Sequence, residues 1–425
     1  MSSERSRILV IGSTGHIGKH IVSASAKLGH PTFALVRQST ASDPSKAAVL
    51  ESFATSGISP LYGDLDDHES LVKAIKQVDI VISAVGSLQL ANQIKIIDAI
   101  KEAGNVKRFL PSEFGLDVER VADVELLEQV AACLVPKREI RQVIRAAGIP
   151  YTIISNNYFA GCTLPHLVQI APPTDKVVIF GDGNPKGVFL AEEDIGMFTI
   201  KAADDPRTLN KIVYARPPGN IYSHNELVAI WEKKTGKTLE RVFLSEEDVL
   251  KTIKEAPVGP HPYGLILGIK YMVLMKGACL GFEIDPSVGA EATELYPEML
   301  VYVYLGAHGT RLPKVSDMKM PIPQPWRRGR GQAVVEGRGS MATSGKPAHG
   351  GGSEPGKGNL EECQGFSNSN FPRRIRSLST QLATFLRCCS YKSTPRLSFL
   401  PPSLSPALVT LPLNQSRFRE SRIFY

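Results

Sequence analysis

The apolar run Ile8-Leu9-Val10-Ile11 breaks into Gly12-Ser13-Thr14-Gly15-His16-Ile17-Gly18, after which apolar residues recur at helical spacing as far as Leu28. Unbroken apolar residues predict a strand buried on both faces, and the 3.6-residue spacing after the glycines predicts a helix packed against it. Gly29-His30-Pro31 ends that helix with glycine followed by proline. The alternation then repeats. Strands are predicted over 32–36, 59–64, 78–86, 106–110 and 151–157, with helical patterns over 47–53, 71–75, 93–103 and 126–144 between them. Strands alternating with helices of about ten residues define an α/β fold, a doubly wound parallel sheet of the Rossmann type.

From Tyr158 the alternation loosens. A strand over 176–180 with a Gly181-Asp182-Gly183-Asn184 turn precedes helices over 193–203 and 225–235, a Pro-rich loop over 257–262 and an apolar run over 263–280. The pattern divides the chain into a Rossmann domain over 1–157, a smaller substrate-binding lobe over 158–298 whose elements return to the sheet, and a tail over 299–425.

Charge separates the tail from the rest. Residues 299–425 hold 18 Lys+Arg against 6 Asp+Glu, leaving 31 against 36 for residues 1–298, so the basic balance of the whole chain belongs to its end. The first 298 residues have no basic footprint for nucleic acid. Low-complexity stretches at 326–331 and 350–358 and a Pro/Ser/Leu-rich stretch at 401–412 predict a disordered or non-native segment. The arginine clusters at 327–330 and 373–376 lack aromatic interleaving, so nucleic acid is not the expected partner.

Six cysteines stand without metal-ligand spacing, which predicts reduced thiols and no metal. The polar start, Met1 to Arg7, offers no apolar signal segment, and no stretch has the ~18 apolar residues of a membrane span, so the cytoplasm is the expected location.

The chemistry begins at the glycines. Their backbone N–H groups and the positive end of the following helix form a site for a pyrophosphate, to which Gly12, Ser13, Thr14, Gly15, His16, Ile17 and Gly18 all contribute. The second strand ends at Arg37, about twenty residues past the loop, where an acid would bind the ribose of NAD and a cation accommodates the 2′-phosphate of NADP. No Asp or Glu follows until Asp43, and Lys46 adds a second cation, so NADPH is the expected cofactor.

Several further stretches, in order, carry a family resemblance. They include Gly12-Ser-Thr-Gly-His-Ile-Gly18, Leu35-Val-Arg37, Asn105-Val-Lys-Arg-Phe-Leu-Pro-Ser-Glu-Phe-Gly115, Lys137-Arg-Glu-Ile-Arg141, Asn157-Tyr-Phe-Ala-Gly161, Asp175-Lys-Val-Val-Ile-Phe-Gly-Asp-Gly183, Glu192-Glu-Asp-Ile-Gly196 and Glu294-Leu-Tyr-Pro297. Over about residues 5–298 the chain resembles the phenylcoumaran benzylic ether reductase and isoflavone reductase-like family, atypical short-chain dehydrogenases of the NmrA-like kind. The resemblance implies NADPH-dependent reduction of a plant phenylpropanoid, with hydride transfer to a benzylic carbon and ether cleavage, and a small phenolic substrate. Isoflavone-type double-bond reduction, a non-catalytic NADP-sensing regulator and an inactive truncated product are the alternatives. A homodimer is one assembly left open.

The resemblance also assigns roles. The usual Tyr-x-x-x-Lys pair of the superfamily is absent, since Cys133 stands four residues before Lys137. The family keeps the lysine matching Lys137 as its acid/base. Such a lysine works when burial or nearby cations draw its pKa toward neutrality, and Arg138 and Arg141 lie close in sequence. Asn157, Phe159 and Tyr271 are candidate pocket residues, Tyr271 standing where the family commonly has histidine and serving equally well as a core aromatic.

Overall fold

The computed structural model describes residues 5–121, 128–169, 172–256 and 263–299. The predicted loop over 257–262, the start of the helix predicted from residue 126, and the tail beyond Met299 lie outside the described residues.

Strands β1 (Ile8–Ile11), β2 (Thr32–Val36), β3 (Ser59–Tyr62), β4 (Ile80–Ser83) and β5 (Arg108–Leu110) pair in the order β3-β2-β1-β4-β5, all parallel. A bridge from Phe109 to Tyr151 continues the sheet to β6 (Thr152–Ser155). Strand β7 (Tyr158–Phe159) then leaves it, followed by β8 (Lys176–Phe180) and β9 (Lys186–Leu190). The chain returns with β10 (Lys211–Tyr214), parallel to β6, before β11 (Ile221–Ser223) and β12 (Glu240–Leu244), and β13 (Gly289–Glu291) closes the edge parallel to β10. Outside the main sheet, β9 lies between β7 and β11, and β8 pairs with β12. The doubly wound parallel sheet expected from the alternation is therefore present.

Side-chain alternation along β1 explains the two layers. Ile8 and Val10 enter one core with Ile21 and Val22 of the helix Gly18–Lys27, whereas Leu9 and Ile11 enter a second with Leu71, Ile96, Phe109, Ile140 and Ile144. Each fully buried aliphatic side chain contributes about 1.5–3 kcal/mol of transfer free energy, which is why an apolar run with polar interruptions only at its ends becomes the central strand. The helix Glu192–Ala203 presses on Gly18–Lys27 where Gly196 would carry a Cβ only 2.5 Å from the His20 carbonyl oxygen. That close approach brings Glu192 to the glycine loop. Among the described residues no helix is long and apolar enough to cross a membrane.

Candidate cofactor and active site

The glycine loop leaves β1 at the carboxyl edge of the sheet. Gly12 adopts φ 79°, and a Cβ there would collide with the Ala84 carbonyl oxygen at the end of the neighbouring strand. Gly18 has no room for a side chain either, because it lies against Gly12 O. The helix that follows has no side-chain cap and no acid in its own first turn, so no residue of the helix itself offsets the positive end of its dipole. Ser13 Oγ donates to Leu35 O at 3.0 Å, tying the loop to β2. Lys46 reaches the same place, its Nζ donating to Thr14 O at 3.2 Å. Arg37 is exposed at the end of β2, as chain geometry requires for a residue meeting a ribose phosphate. A cradle closed to any Cβ, an uncapped helix and two cations fit a phosphorylated dinucleotide.

Lys137 lies on the helix Glu128–Ala146, and its Nζ donates to the Glu113 carbonyl oxygen at 2.9 Å. Gly115 stands beside it, with space for a Cβ at 3.8 Å from Nζ. The turn through Glu113 and Gly115 is fixed from the other side by β6 and its exit, since Ser155 Oγ donates to Gly115 O at 3.0 Å and Asn157 N at 3.2 Å. Asn157 is left-handed, φ 60°, which turns the chain from β6 toward β7. Lys137 and Asn157 thus flank one turn.

The two arginines expected beside Lys137 are engaged elsewhere. Arg138 donates to the Val118 and Val121 carbonyls at 3.0 and 3.2 Å. Arg141, 1% exposed, pairs with the buried Glu113 carboxylate and with Asp117 at 2.7 Å, and Tyr214 donates its hydroxyl to Asp117 at 2.6 Å. These carboxylates outweigh the cost of burying Arg141 and raise its pKa further. Both guanidinium groups are therefore committed to the segment 113–121 that follows β5.

The loop also touches the substrate-side segment. His16 stacks on Phe159 with centroids 5.7 Å apart, and its Nε2 lies 2.9 Å from Glu192 Oε1. Glu192 accepts the Gly161 N–H at 3.0 Å through its other oxygen. Tyr271 lies apart from these contacts, its hydroxyl donating to Glu246 Oε1 at 2.7 Å with Lys276 Nζ 5.5 Å from its ring centroid. Sequence reasoning named neither Glu192 nor Glu113 as a site residue. An acid opening a helix reads as a dipole partner, and nothing local marks it as the neighbour of a histidine 176 positions away.

A parallel sheet with a glycine cradle and a cation at the end of its second strand defines a dinucleotide-binding α/β protein. The chain belongs to the NmrA-like family, whose model matches residues 4–304. It is 61% identical over 298 residues to eugenol synthase 2 of Clarkia breweri, covering 69% of this chain and 95% of that one. It is 59% identical over 300 residues to phenylcoumaran benzylic ether reductase Betv6 of Betula pendula, covering 70% of this chain and 96% of that protein. The solved structure of AtPrR2 with NADP+ and (+)pinoresinol is 41% identical with a TM-score of 0.66, over 71% of this chain and 97% of the other. The family resemblance read from the motifs is borne out.

Proposed function

We propose that this protein is an NADPH-dependent reductase of phenolic phenylpropanoids, acting at a benzylic carbon with cleavage of its ether bond. The observation that carries the reading is that Lys137 Nζ, reaching from the helix between β5 and β6, meets the turn that follows β5, on the same carboxyl edge of the sheet as the glycine loop. Gly12 to Gly18, Arg37 and Lys46 hold the cofactor, which when bound supplies the hydride for the benzylic carbon. Lys137 takes the proton of a phenol para to that carbon. The benzylic C–O bond then breaks with its electron pair going to oxygen, leaving a quinone methide ready for reduction. Lys137 returns its proton to one of the oxygens, and water protonates the other. Phe159, held against His16, is the apolar wall that keeps water from the reduced carbon.

We assign cofactor binding to residues 1–157 and substrate selection to 158–298, in the cytoplasm. The 61% identity to a eugenol synthase favours a second reading on the same residues, a reductase that forms eugenol. NADPH consumption by the full chain with dehydrodiconiferyl alcohol tests the first reading. Formation of eugenol, with no turnover of the ether, would favour the second.

A further inference from the structure

Three side chains from distant parts of the sequence meet beside the glycine loop. One ligand atom each from His16, Cys162 and Glu192 lies within 4.8 Å of the other two. His16 Nε2 and Glu192 Oε1 are already 2.9 Å apart. Zinc binds nitrogen, sulfur and oxygen at ~2.0–2.3 Å in a tetrahedron, which places its ligand atoms roughly 3.3–3.6 Å from one another. The three ligand atoms stand within 4.8 Å of one another, and the Cys162 thiol, which donates to Phe159 O at 3.5 Å, has to give up that bond for the cluster to close to the zinc spacing.

The surroundings are those of a built site. Glu192 is oriented by a backbone donor, because its Oε2 accepts the Gly161 N–H at 3.0 Å while Oε1 is left toward His16. Metal-binding carboxylates are commonly held by such outer partners. A Cβ at Gly161 would stand 2.5 Å from Glu192 Oε2, so a side chain there would displace the carboxylate. The Glu192 side chain is 6% exposed and that of His16 is 28% exposed, which closes the site on one side and leaves an entry path on the other.

We propose that His16, Cys162 and Glu192 form a three-ligand zinc site with a fourth position open to water. Binding breaks the His16–Glu192 hydrogen bond and the bond from Cys162 Sγ to Phe159 O; the Nε2 proton of His16 leaves to solvent as Nδ1 takes one up, and the Cys162 thiol proton is released to solvent, with no electron transfer. The ion joins the cofactor loop to the segment after Phe159 and to the helix Glu192–Ala203. Because His16 lies inside the loop assigned to the cofactor, zinc and NADPH alter each other's affinity by one reciprocal factor. The site itself stands without the catalytic reading of Lys137.

The test is zinc binding by the reduced full chain in competition with a chromophoric chelator. Wild type is compared with Cys162→Ser, with Glu192→Gln, and with a tail control carrying Cys388→Ser and Cys389→Ser. Cys162→Ser is expected to lose one equivalent of zinc, Glu192→Gln to bind at least about tenfold more weakly, and the tail control to keep that equivalent. Zinc should also raise the melting temperature of wild type and not that of Cys162→Ser. Unchanged binding in both site variants, or a loss confined to the tail control, overturns the proposal. If Cys162→Ser does not fold, His16→Gln at the solvent-facing ligand carries the same expected loss, and its unchanged binding would overturn the site equally.

Discussion

Lys137 and Arg141, one helical turn apart, grip opposite ends of Glu113. Lys137 Nζ donates to its carbonyl oxygen at 2.9 Å, while Arg141 Nε and Nη2 donate to its carboxylate at 2.9 and 3.0 Å. Residues four apart on a helix share a face, so a single helix fixes both the backbone and the side chain of that turn. Removing the arginine leaves Glu113 buried without its cation and Asp117 with only the more distant Arg120, at 3.9 Å. Arg141→Ala should therefore lose about 3–5 kcal/mol of stability, read as a lower urea midpoint. A change of less than 1 kcal/mol would mean that the pair behaves as a surface ion pair.

Gly12→Ala meets two obstacles at once. Its φ of 79° disfavours any Cβ by about 1–2 kcal/mol, and the added carbon would strike Ala84 O. The loop has to shift, and with it the N–H groups assigned to the pyrophosphate. NADPH affinity in a fluorescence titration should fall by more than tenfold, roughly the effect of 1.4 kcal/mol. Unaltered affinity would place the cofactor elsewhere.

Arg37 is the residue assigned to tell NADPH from NADH. It is exposed at the end of β2, and the nearest acid in sequence after it is Asp43. A charge-assisted bond to the 2′-phosphate is worth about 1.5–3 kcal/mol, so Arg37→Ala should weaken NADPH by roughly tenfold to a hundredfold and leave NADH binding as it was. Equal losses for both cofactors would show that the residue does not read the phosphate.

Lys270 gives the fold a pH dependence. Its ammonium is 4% exposed, donates to Val178 O at 3.3 Å and lies 4.2 Å from the Phe180 ring centroid. Burial pulls its pKa from 10.5 to about 7. Below pH 7 folded and unfolded chains both carry the proton, and the folded one bears the whole desolvation cost. Between about 7 and 10.5 the unfolded chain binds the extra proton, so this group makes stability rise with pH across that window. Lys270→Met should stabilise the protein most at or below neutral pH and remove this part of the rise, as urea melts at about pH 6 and about pH 9 will show. A variant as pH-dependent as wild type over that range would assign the effect to other groups.

The sheet was legible because buried strands and amphipathic helices write their period into local sequence. The helix read over 93–103 is the one observed, Gln93–Ala103, stopped by Gly104 in the left-handed conformation. Strands β11 and β13 escaped because three residues hold too little period, and β12 because Glu240, Arg241 and Phe243 are exposed. The cofactor cradle could be read because strand, loop and cation follow one another at fixed chain distance. The acid/base assignment of Lys137 came from family motifs, since a helix lysine carries no local sign of chemistry. The hold of Glu113 on Lys137 and the meeting of His16 with Glu192 are made by tertiary packing, through Gly196 among others, and no local pattern encodes them.

The most direct measurement is NADPH oxidation with dehydrodiconiferyl alcohol by the full chain and by its Lys137→Ala variant, with NADPH binding measured in parallel. General acid–base groups contribute about 10²–10⁴-fold in rate, so the variant should bind NADPH normally and lose turnover by that factor. Turnover by Lys137→Ala at the wild-type rate would contradict the account.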